Sequence, residues 1–265
     1  MGKIFVIDEA KCSGCYNCQV ACKDEHCDND WMPYAAPQPH SGQFWCKVVQ
    51  KDHGQVPKVR VEYTPLFGGQ NPGIAAYAPE VLQKREDGLQ VIDPVLAKGR
   101  RDIAERFEGV YYNEELDIPQ ACTGCAHLVD EGKLPHCVDL CATGALRFGD
   151  EEEFASELKG AEAPLCDEGC TPRVYYLNRP HLFLAGDVWD PSENEVVEGA
   201  VCTLTFPDGH TETTQTDDFG DFWFRRIDEG VYSLRIEAKG FVPVERADIN
   251  LDKSLNLGDF PLSCA

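Results

Sequence analysis

Two cysteine-rich stretches decide the fold of this chain. Residues 12–22 read CSGCYNCQVAC, and residues 122–141 read CTGCAHLVDEGKLPHCVDLC. In each stretch a fourth cysteine follows the third after three intervening residues. Three sulfurs from one loop can wrap one face of a cubane [4Fe–4S] cluster, while the fourth lies on the following helix and binds the other cluster. The two stretches therefore predict a pair of clusters that exchange one ligand each.

This spacing predicts two crossed ligand sets. The first cluster would be bound by Cys12, Cys15, Cys18 and Cys141, and the second by Cys22, Cys122, Cys125 and Cys137. Zinc also takes four thiolates, but two independent zinc sites would leave the repeated three-residue spacing unexplained. One departure is that Lys23 and Ala142 stand where ferredoxins usually carry proline after the outgoing cysteine.

Composition indicates a globular protein of one large or two moderate domains. The chain has 265 residues, 43% hydrophobic, with a formal net charge of −22. Such an acidic chain argues against nucleic acid, whose binding needs concentrated Lys and Arg. The sequence shows neither an apolar run of the roughly 18 residues needed to span a membrane nor a signal peptide at its N-terminus. We therefore expect a cytoplasmic protein with no transmembrane segment, unless a partner with its own export signal carries it across the membrane.

The other chemistry-bearing residues do not suggest a catalytic site. Of the 14 cysteines, Cys27, Cys46, Cys202 and Cys264 are expected to be isolated thiols, and Cys166 and Cys170 either free thiols or a local bridge. His127 and His136 are expected to line the second cluster or to hydrogen-bond a backbone group. The sequence contains no nucleophile motif, phosphate loop or dinucleotide fingerprint. Because a cluster with four cysteine ligands has no open iron, we expect electron transfer and no catalytic residue in this chain.

The chain is expected to divide near residue 181. Residues 1–180 would form an α+β, two-cluster ferredoxin-like domain with a long insert at about 23–121. Within it, we expect a hairpin at 84–94, a short helix within 97–107 and an acidic helix at 150–160. From 181 to 265, alternating runs at 200–206, 211–216, 221–226 and 232–238 are separated by Gly and Asp turns. This pattern predicts a small all-β sandwich.

Beyond the cysteines, the chain resembles a known family. Residues 1–180 are similar to the small iron–sulfur subunits of molybdopterin oxidoreductases of the dimethyl sulfoxide reductase superfamily, in particular those of pyrogallol–phloroglucinol transhydroxylases and gut-bacterial catechol dehydroxylases. Residues 181–265 resemble the carboxypeptidase regulatory-like, transthyretin-like sandwich. The stretches that carry the two resemblances are 22–26, 83–88, 92–94, 110–115, 122–128 and 171–176 in the first region, and 186–188, 197–200, 216–222 and 230–232 in the second.

The resemblance implies an electron-transfer subunit in a heterodimer. Its partner would be a large catalytic subunit holding molybdenum (or tungsten) on bis-molybdopterin guanine dinucleotide, and the electron donor is not specified. The implied substrates are polyhydroxylated aromatics, and the expected reaction is reductive removal of a catechol hydroxyl. Hydroxyl transfer between phenols is one alternative, and a free-standing ferredoxin-like carrier is another. A third is an interaction module in which the clusters are structural.

Two segments depart from the family pattern. Relatives carry a third cysteine group near residues 64–79, and many carry a fourth near 105–110. Both segments lack cysteine here. We therefore expect two clusters and a shortened electron path.

Overall fold

The structure, a computed structural model, describes residues 2–164, 166–167 and 169–265. It separates into two compact units. The first comprises Met1–Gln50 and Glu62–Arg179, and the second comprises Lys51–Val61 and Pro180–Ala265. We expected the second unit to begin near residue 181. Residues 51–61, which come much earlier in the chain, also belong to it.

The described residues form five short α-helices and fifteen strands. Among them, no helix is both long and apolar enough to cross a membrane. The helices are α1 (Asn17–His26), α2 (Gly73–Tyr77), α3 (Arg101–Arg106), α4 (Ala126–Asp130) and α5 (His136–Asp139). The strands are β1 (Lys3–Asp8), β2 (Lys47–Gln55), β3 (Lys58–Leu66), β4 (Tyr111–Asn113), β5 (Ile118–Gln120), β6 (Leu146–Asp150), β7 (Val174–Leu177), β8 (Leu182–Asp190), β9 (Glu195–Val196), β10 (Val201–Thr205), β11 (Thr211–Gln215), β12 (Asp221–Ile227), β13 (Gly230–Glu237), β14 (Val244–Leu251) and β15 (Leu255–Pro261).

A three-stranded sheet supports the first unit. Its order is β6-β1-β7, with β1 antiparallel to β6 and parallel to β7. The central strand β1 reads KIFVID and is buried on both faces, as its unbroken apolar run predicts. Phe5 of this strand stacks on Phe67 with ring centroids 4.7 Å apart. Both rings pack in the same apolar cluster as Cys22 and Cys122, so this sheet backs the cysteine loops.

The hairpin expected at 84–94 was wrong. These residues form a turn without strands, with Gly88 at a φ of 76°. The Gln70 side chain explains the difference, because it donates to the Gln90 carbonyl at 2.9 Å and accepts from the Gln90 N–H at 3.2 Å. With its backbone groups bonded to a buried amide, Gln90 makes no strand ladder.

Two other local expectations had different outcomes. The helix predicted within 97–107 is confirmed as α3. The acidic helix expected at 150–160 is instead two 3₁₀ turns, Glu151–Phe154 and Leu158–Gly160. Asp150 and Glu153 form a capping box at the first turn. This satisfies the local backbone within one turn and does not require a continued α-helix.

The second unit is the predicted sandwich. The four predicted runs are confirmed as β10, β11, β12 and β13. One sheet has the order β11-β10-β13-β14, and the other has β12-β8-β15 with β9 beside β8. Buried and exposed residues alternate most clearly along β13, where Tyr232, Leu234 and Ile236 are buried. They meet Leu184, Phe222 and Phe260 of the opposite sheet in one apolar core.

A buried cation joins the 51–61 segment to this sandwich. The Lys58 side chain is only 4% exposed, and its Nζ lies 2.6 Å from an Asp187 oxygen and 2.7 Å from an Asp221 oxygen. The ammonium also lies 5.5 Å from the ring centroid of Trp223. A lysine so buried is tolerated because both carboxylates compensate its charge.

Removal of the Lys58 charge is expected to destabilise the second unit. Lys58→Met keeps the apolar stem but leaves two adjacent carboxylates without their cation. We expect a loss of about 2 kcal/mol in the free energy of unfolding, below the buried-pair range because both aspartates are partly exposed. Chemical denaturation measures this loss, with the exposed Lys253→Met as the control, expected within about 0.5 kcal/mol of the parent protein. Adding Asp187→Asn and Asp221→Asn to Lys58→Met should recover stability, and no recovery would contradict the assignment.

Candidate metal centre

Two matching turns begin the cysteine stretches. Cys12–Cys15 and Cys122–Cys125 both follow the pattern Cys-x-Gly-Cys, and the two glycines share a φ of 66°. This left-handed conformation favours glycine. It turns the backbone N–H inward, so that Gly124 donates to the Cys122 sulfur at 3.4 Å and Gly14 likewise donates to Cys12. Hydrogen bonds of this kind to ligand sulfurs are a feature of iron–sulfur sites.

Two helices exchange the remaining sulfurs. Cys18 and Cys22 lie four positions apart on α1, hence on one face of the helix. Cys137 lies on α5, and Cys141 follows that helix, with its N–H bonded to the Val138 carbonyl. The two helices pack against each other. Their contact brings the cysteines of α1 close to Cys137 and to the segment that carries Cys141.

One set of four sulfurs is deeply buried. Cys22, Cys122, Cys125 and Cys137 are each at most 8% exposed, and the sulfur of Cys22 interacts with those of the other three. We call these four residues set two. Burial raises the pKa of Cys22 well above its ordinary value, and the three neighbouring thiolates raise it further. Burial likewise raises the pKa of Cys122 to about 12.

The other set lies nearer the surface. The sulfur of Cys12 interacts with those of Cys15, Cys18 and Cys141, and we call these four residues set one. Cys15 is exposed, and the other three are half-buried. Burial is the main cause of the raised pKa of Cys12, and its three neighbours add to it. The interactions of Cys12 and Cys22 thus involve the partners that the spacing predicts, and the crossed assignment of all eight ligands stays a prediction.

The residues present fit two cubane clusters. Four mutually repelling thiolates in an apolar surrounding are costly unless a cation neutralises them, and a metal-bound thiol is deprotonated outright. Several sulfurs accept backbone hydrogen bonds as well, including that of Cys141, which accepts from the Leu146 N–H at 3.3 Å. Each set supplies the four thiolates that a [4Fe–4S] cluster takes.

Three histidines and a glutamate lie beside set two. His26 is buried, with Nε2 3.9 Å from the Cys125 sulfur, and burial lowers its pKa to about 3, so the ring is neutral. His127 and His136 were expected to line the cluster or bond to the backbone. Both lie beside set two, and in addition His127 Nε2 lies 3.0 Å from one Glu25 oxygen and His136 Nδ1 lies 2.8 Å from the other. Cysteine and histidine spacing gave no signal for these contacts, because Glu25 lies on α1, far in sequence from both histidines.

Apolar packing occupies the region of the two segments that lack cysteine. Gly68 and Gly109 approach so closely that a Cβ on Gly68 would lie 2.5 Å from the Gly109 Cα. Ile74, Ile103 and Val110 pack beside them in one buried apolar cluster. The backbone and side chains that surround this region thus contact one another directly.

The other cysteines divide into three kinds. Cys46 and Cys202 are buried, Cys27 is half-buried and Cys264 is exposed. Cys166 and Cys170 are paired as a local disulfide, which is one of the two expected arrangements. At the surface, the Cys27 sulfur lies 3.7 Å from His40 Nδ1, whose Nε2 lies 3.1 Å from Asp28. Sequence spacing gives no signal for this group, because His40 is 13 residues from Cys27.

Comparisons with known families agree with both units. The model of the 4Fe-4S dicluster domain matches residues 70–151, and the model of the carboxypeptidase regulatory-like domain matches residues 184–263. Fold and cysteine geometry together thus define an iron–sulfur protein with an appended β domain.

Full-length relatives place the protein more narrowly. The pyrogallol hydroxytransferase small subunit of Pelobacter acidigallici is 32% identical, and the alignment covers 96% of this chain and 97% of that subunit. A subunit of the anaerobic dimethyl sulfoxide reductase of Escherichia coli (strain K12) is 30% identical over 68% of this chain and 86% of its own length. The formate dehydrogenase subunit beta of Megalodesulfovibrio gigas is 28% identical over 69% of this chain and 97% of its own. The protein belongs to the family of iron–sulfur subunits of molybdopterin oxidoreductases that includes the pyrogallol hydroxytransferase small subunit.

Paired substitutions test the crossed ligand sets. Cys22→Ala should remove one cluster, a loss of about four irons. Adding Cys137→Ala, in the same set, should cause no further loss, whereas adding Cys18→Ala should remove about eight irons in total. Iron analysis of anaerobically purified protein measures these losses. The control is Cys202→Ala, which should keep its full iron content. The reverse result, in which Cys18→Ala adds nothing to Cys22→Ala, would show that each stretch binds its own cluster.

Proposed function

We propose that this chain carries two [4Fe–4S] clusters and passes electrons to or from a large catalytic subunit. The observation that supports this proposal is that Cys12 interacts with three neighbouring cysteines of set one and Cys22 with three of set two. Set one would hold the cluster nearer the surface, and set two would hold the buried one. The clusters supply one-electron transfer, and this chain's residues bind them, orient them and surround set two with apolar side chains.

Direct packing supports a count of two clusters. A third cluster would need four more ligands and room for a cubane. The two segments where relatives carry further cysteines have none, and Gly68 contacts Gly109 directly. The neighbouring space is filled by the buried side chains of Ile74 and Ile103. This region is therefore organised by apolar side-chain packing and not by a bound cluster.

The catalytic chemistry is assigned to a partner. With four thiolates on each cluster, each iron already has a protein ligand, so the clusters move electrons without binding substrate. The partner would be a large subunit holding molybdenum, or tungsten, on bis-molybdopterin guanine dinucleotide. The full-length match to a protein described as a small subunit supports such a pairing. That match covers the second unit as well, whereas the dimethyl sulfoxide reductase subunit leaves about a third of this chain unmatched.

Polyhydroxylated aromatics are the proposed substrates of the complex. We favour reductive removal of a catechol hydroxyl, which consumes two electrons that the clusters would deliver one at a time. Hydroxyl transfer between phenols is the second candidate, favoured by the name of the pyrogallol hydroxytransferase relative. Eight cysteines are assigned to clusters and only Cys166 and Cys170 form a disulfide among the described residues, a ratio that fits a reducing compartment. We therefore place the complex in the cytoplasm, with export alongside a signal-bearing partner as the alternative.

Iron content and spectroscopy test the cluster assignment. The purified chain should contain about eight irons, and the reduced protein should show two magnetically coupled S = ½ centres by electron paramagnetic resonance. A content near twelve or sixteen irons, or stoichiometric zinc, would refute two cubanes.

The demand for electrons separates the two candidate reactions. The complex, purified through a tag on this chain, should contain molybdenum or tungsten and should dehydroxylate a catechol only with a reduced one-electron donor. Two electrons should be consumed for each product. Turnover without a donor would favour transhydroxylation, and a monomer that purifies with clusters but without a molybdenum or tungsten partner would favour a free carrier.

A further inference from the structure

Three side chains that can bind a metal ion lie together at the surface, just beyond the C-terminal end of α1. Cys27 and Asp28 directly follow that helix, and His40 is 13 residues from Cys27. The Cys27 sulfur is 3.7 Å from His40 Nδ1, and an Asp28 oxygen is 3.1 Å from His40 Nε2. One ligand atom of each residue lies within 4.8 Å of those of the other two. None of the three belongs to set one or set two, so this group is separate from the proposed clusters.

Backbone contacts hold the two segments of the group in place. The Gln38 N–H donates to the His26 carbonyl at 2.8 Å, which joins the segment to the last residue of α1. The Lys23 ammonium, on the same helix, donates to the Gly42 carbonyl at 3.0 Å. His40 lies between these two attachment points. Its approach to the end of α1 is therefore organised in advance, which lowers the entropic cost of binding an ion there.

The ligand atoms fit a zinc ion. Zinc takes thiolate, imidazole and carboxylate ligands at about 2.0–2.3 Å, and it favours a tetrahedron. Sulfur and nitrogen ligands of one tetrahedral zinc lie about 3.6 Å apart, close to the 3.7 Å between Cys27 Sγ and His40 Nδ1. The Asp28 carboxylate would rotate from Nε2 to reach an ion between these two atoms, and its side chain, 68% exposed, is free to do so. One thiolate and one carboxylate balance the two charges of the ion.

The same donor set disfavours the common hard cations. Calcium and magnesium take oxygen ligands, and Asp28 alone supplies side-chain oxygens in this group. A thiolate beside an imidazole suits zinc and similar transition-metal ions instead. Three protein ligands leave one tetrahedral position of zinc to be filled by water.

We propose that Cys27, Asp28 and His40 form a surface zinc site with water as the fourth ligand. The ion would tie the segment at 38–42 to the end of α1, the helix that also carries Cys18 and Cys22. This site goes beyond the proposed function and requires neither cluster.

Zinc chloride added to the full chain tests the site. An exposed site with a water ligand gives up zinc to a chelator, so the chain is purified anaerobically with a chelator and zinc is added afterwards. We expect about one zinc per chain after unbound metal is removed, with the iron content unchanged. X-ray absorption at the zinc edge should show one sulfur at about 2.3 Å and three lighter ligands at about 2.0–2.2 Å. This spectrum reports on zinc alone and is not affected by sulfurs bound to iron.

Substitutions identify the ligands. Cys27→Ala and His40→Ala should each weaken zinc binding at least about a hundredfold, and Asp28→Asn at least about tenfold, because loss of a ligand costs no less than loss of a group that orients one. Competition with a zinc-binding dye measures these affinities. The matched controls are Cys264→Ala and His181→Ala, which remove an exposed thiol and an exposed imidazole outside the group and should bind zinc like the parent chain. His40 and Asp28 are largely exposed, so their variants should keep the fold.

Four other results would overturn the site. The first is a parent chain that retains no added zinc. The second is an unchanged affinity in Cys27→Ala or His40→Ala. The third is a zinc spectrum without sulfur, which would remove Cys27 from the site. The fourth is a spectrum with four sulfurs and a loss of iron, which would place the zinc on the cysteines of set one or set two.

Discussion

Mutual repulsion among buried thiolates is the constraint on which the first unit depends. Four such sulfurs in one place lose hydration and repel one another, so the arrangement is stable only with a compensating cation and with donors aimed at the sulfurs. The first unit supplies those donors twice, through the left-handed glycines Gly14 and Gly124. In the proposed assignment, α1 gives Cys18 to set one and Cys22 to set two, while α5 gives Cys137 to set two and the residues after it give Cys141 to set one. Each proposed cluster would then need both cysteine stretches.

The β1 sheet and its apolar neighbours set the environment of the sites. Phe5 and Phe67 stack in the same cluster that contains Cys22 and Cys122, which keeps set two dry. Set one, with Cys15 exposed, has more water nearby. Solvent exposure and hydrogen bonds to sulfur are among the factors that set cluster potentials. The difference in burial therefore gives the two proposed clusters different environments within one small unit.

In the second unit, the charge of a buried lysine is compensated by protein carboxylates alone. Lys58 comes from the 51–61 segment, and Asp187 and Asp221 are paired residues of the adjacent strands β8 and β12. Their ion pairs hold a segment whose position in the sequence lies far from the rest of the sandwich. The unit therefore depends on a long-range contact in addition to its alternating apolar core.

Local patterns determined much of this protein. The Cys-x-Gly-Cys turns and the three-residue spacings predict the two cysteine ligand sets, and strand alternation predicted β10 to β13, because both patterns are set by residues a few positions apart. Only the tertiary structure decided that Gln70 binds the backbone of Gln90 and removes the expected hairpin, and that Glu25 contacts His127 and His136. Each of these contacts joins residues remote in the sequence. Tertiary packing determines which of these distant residues meet, and local periodicity and spacing carry no information about it.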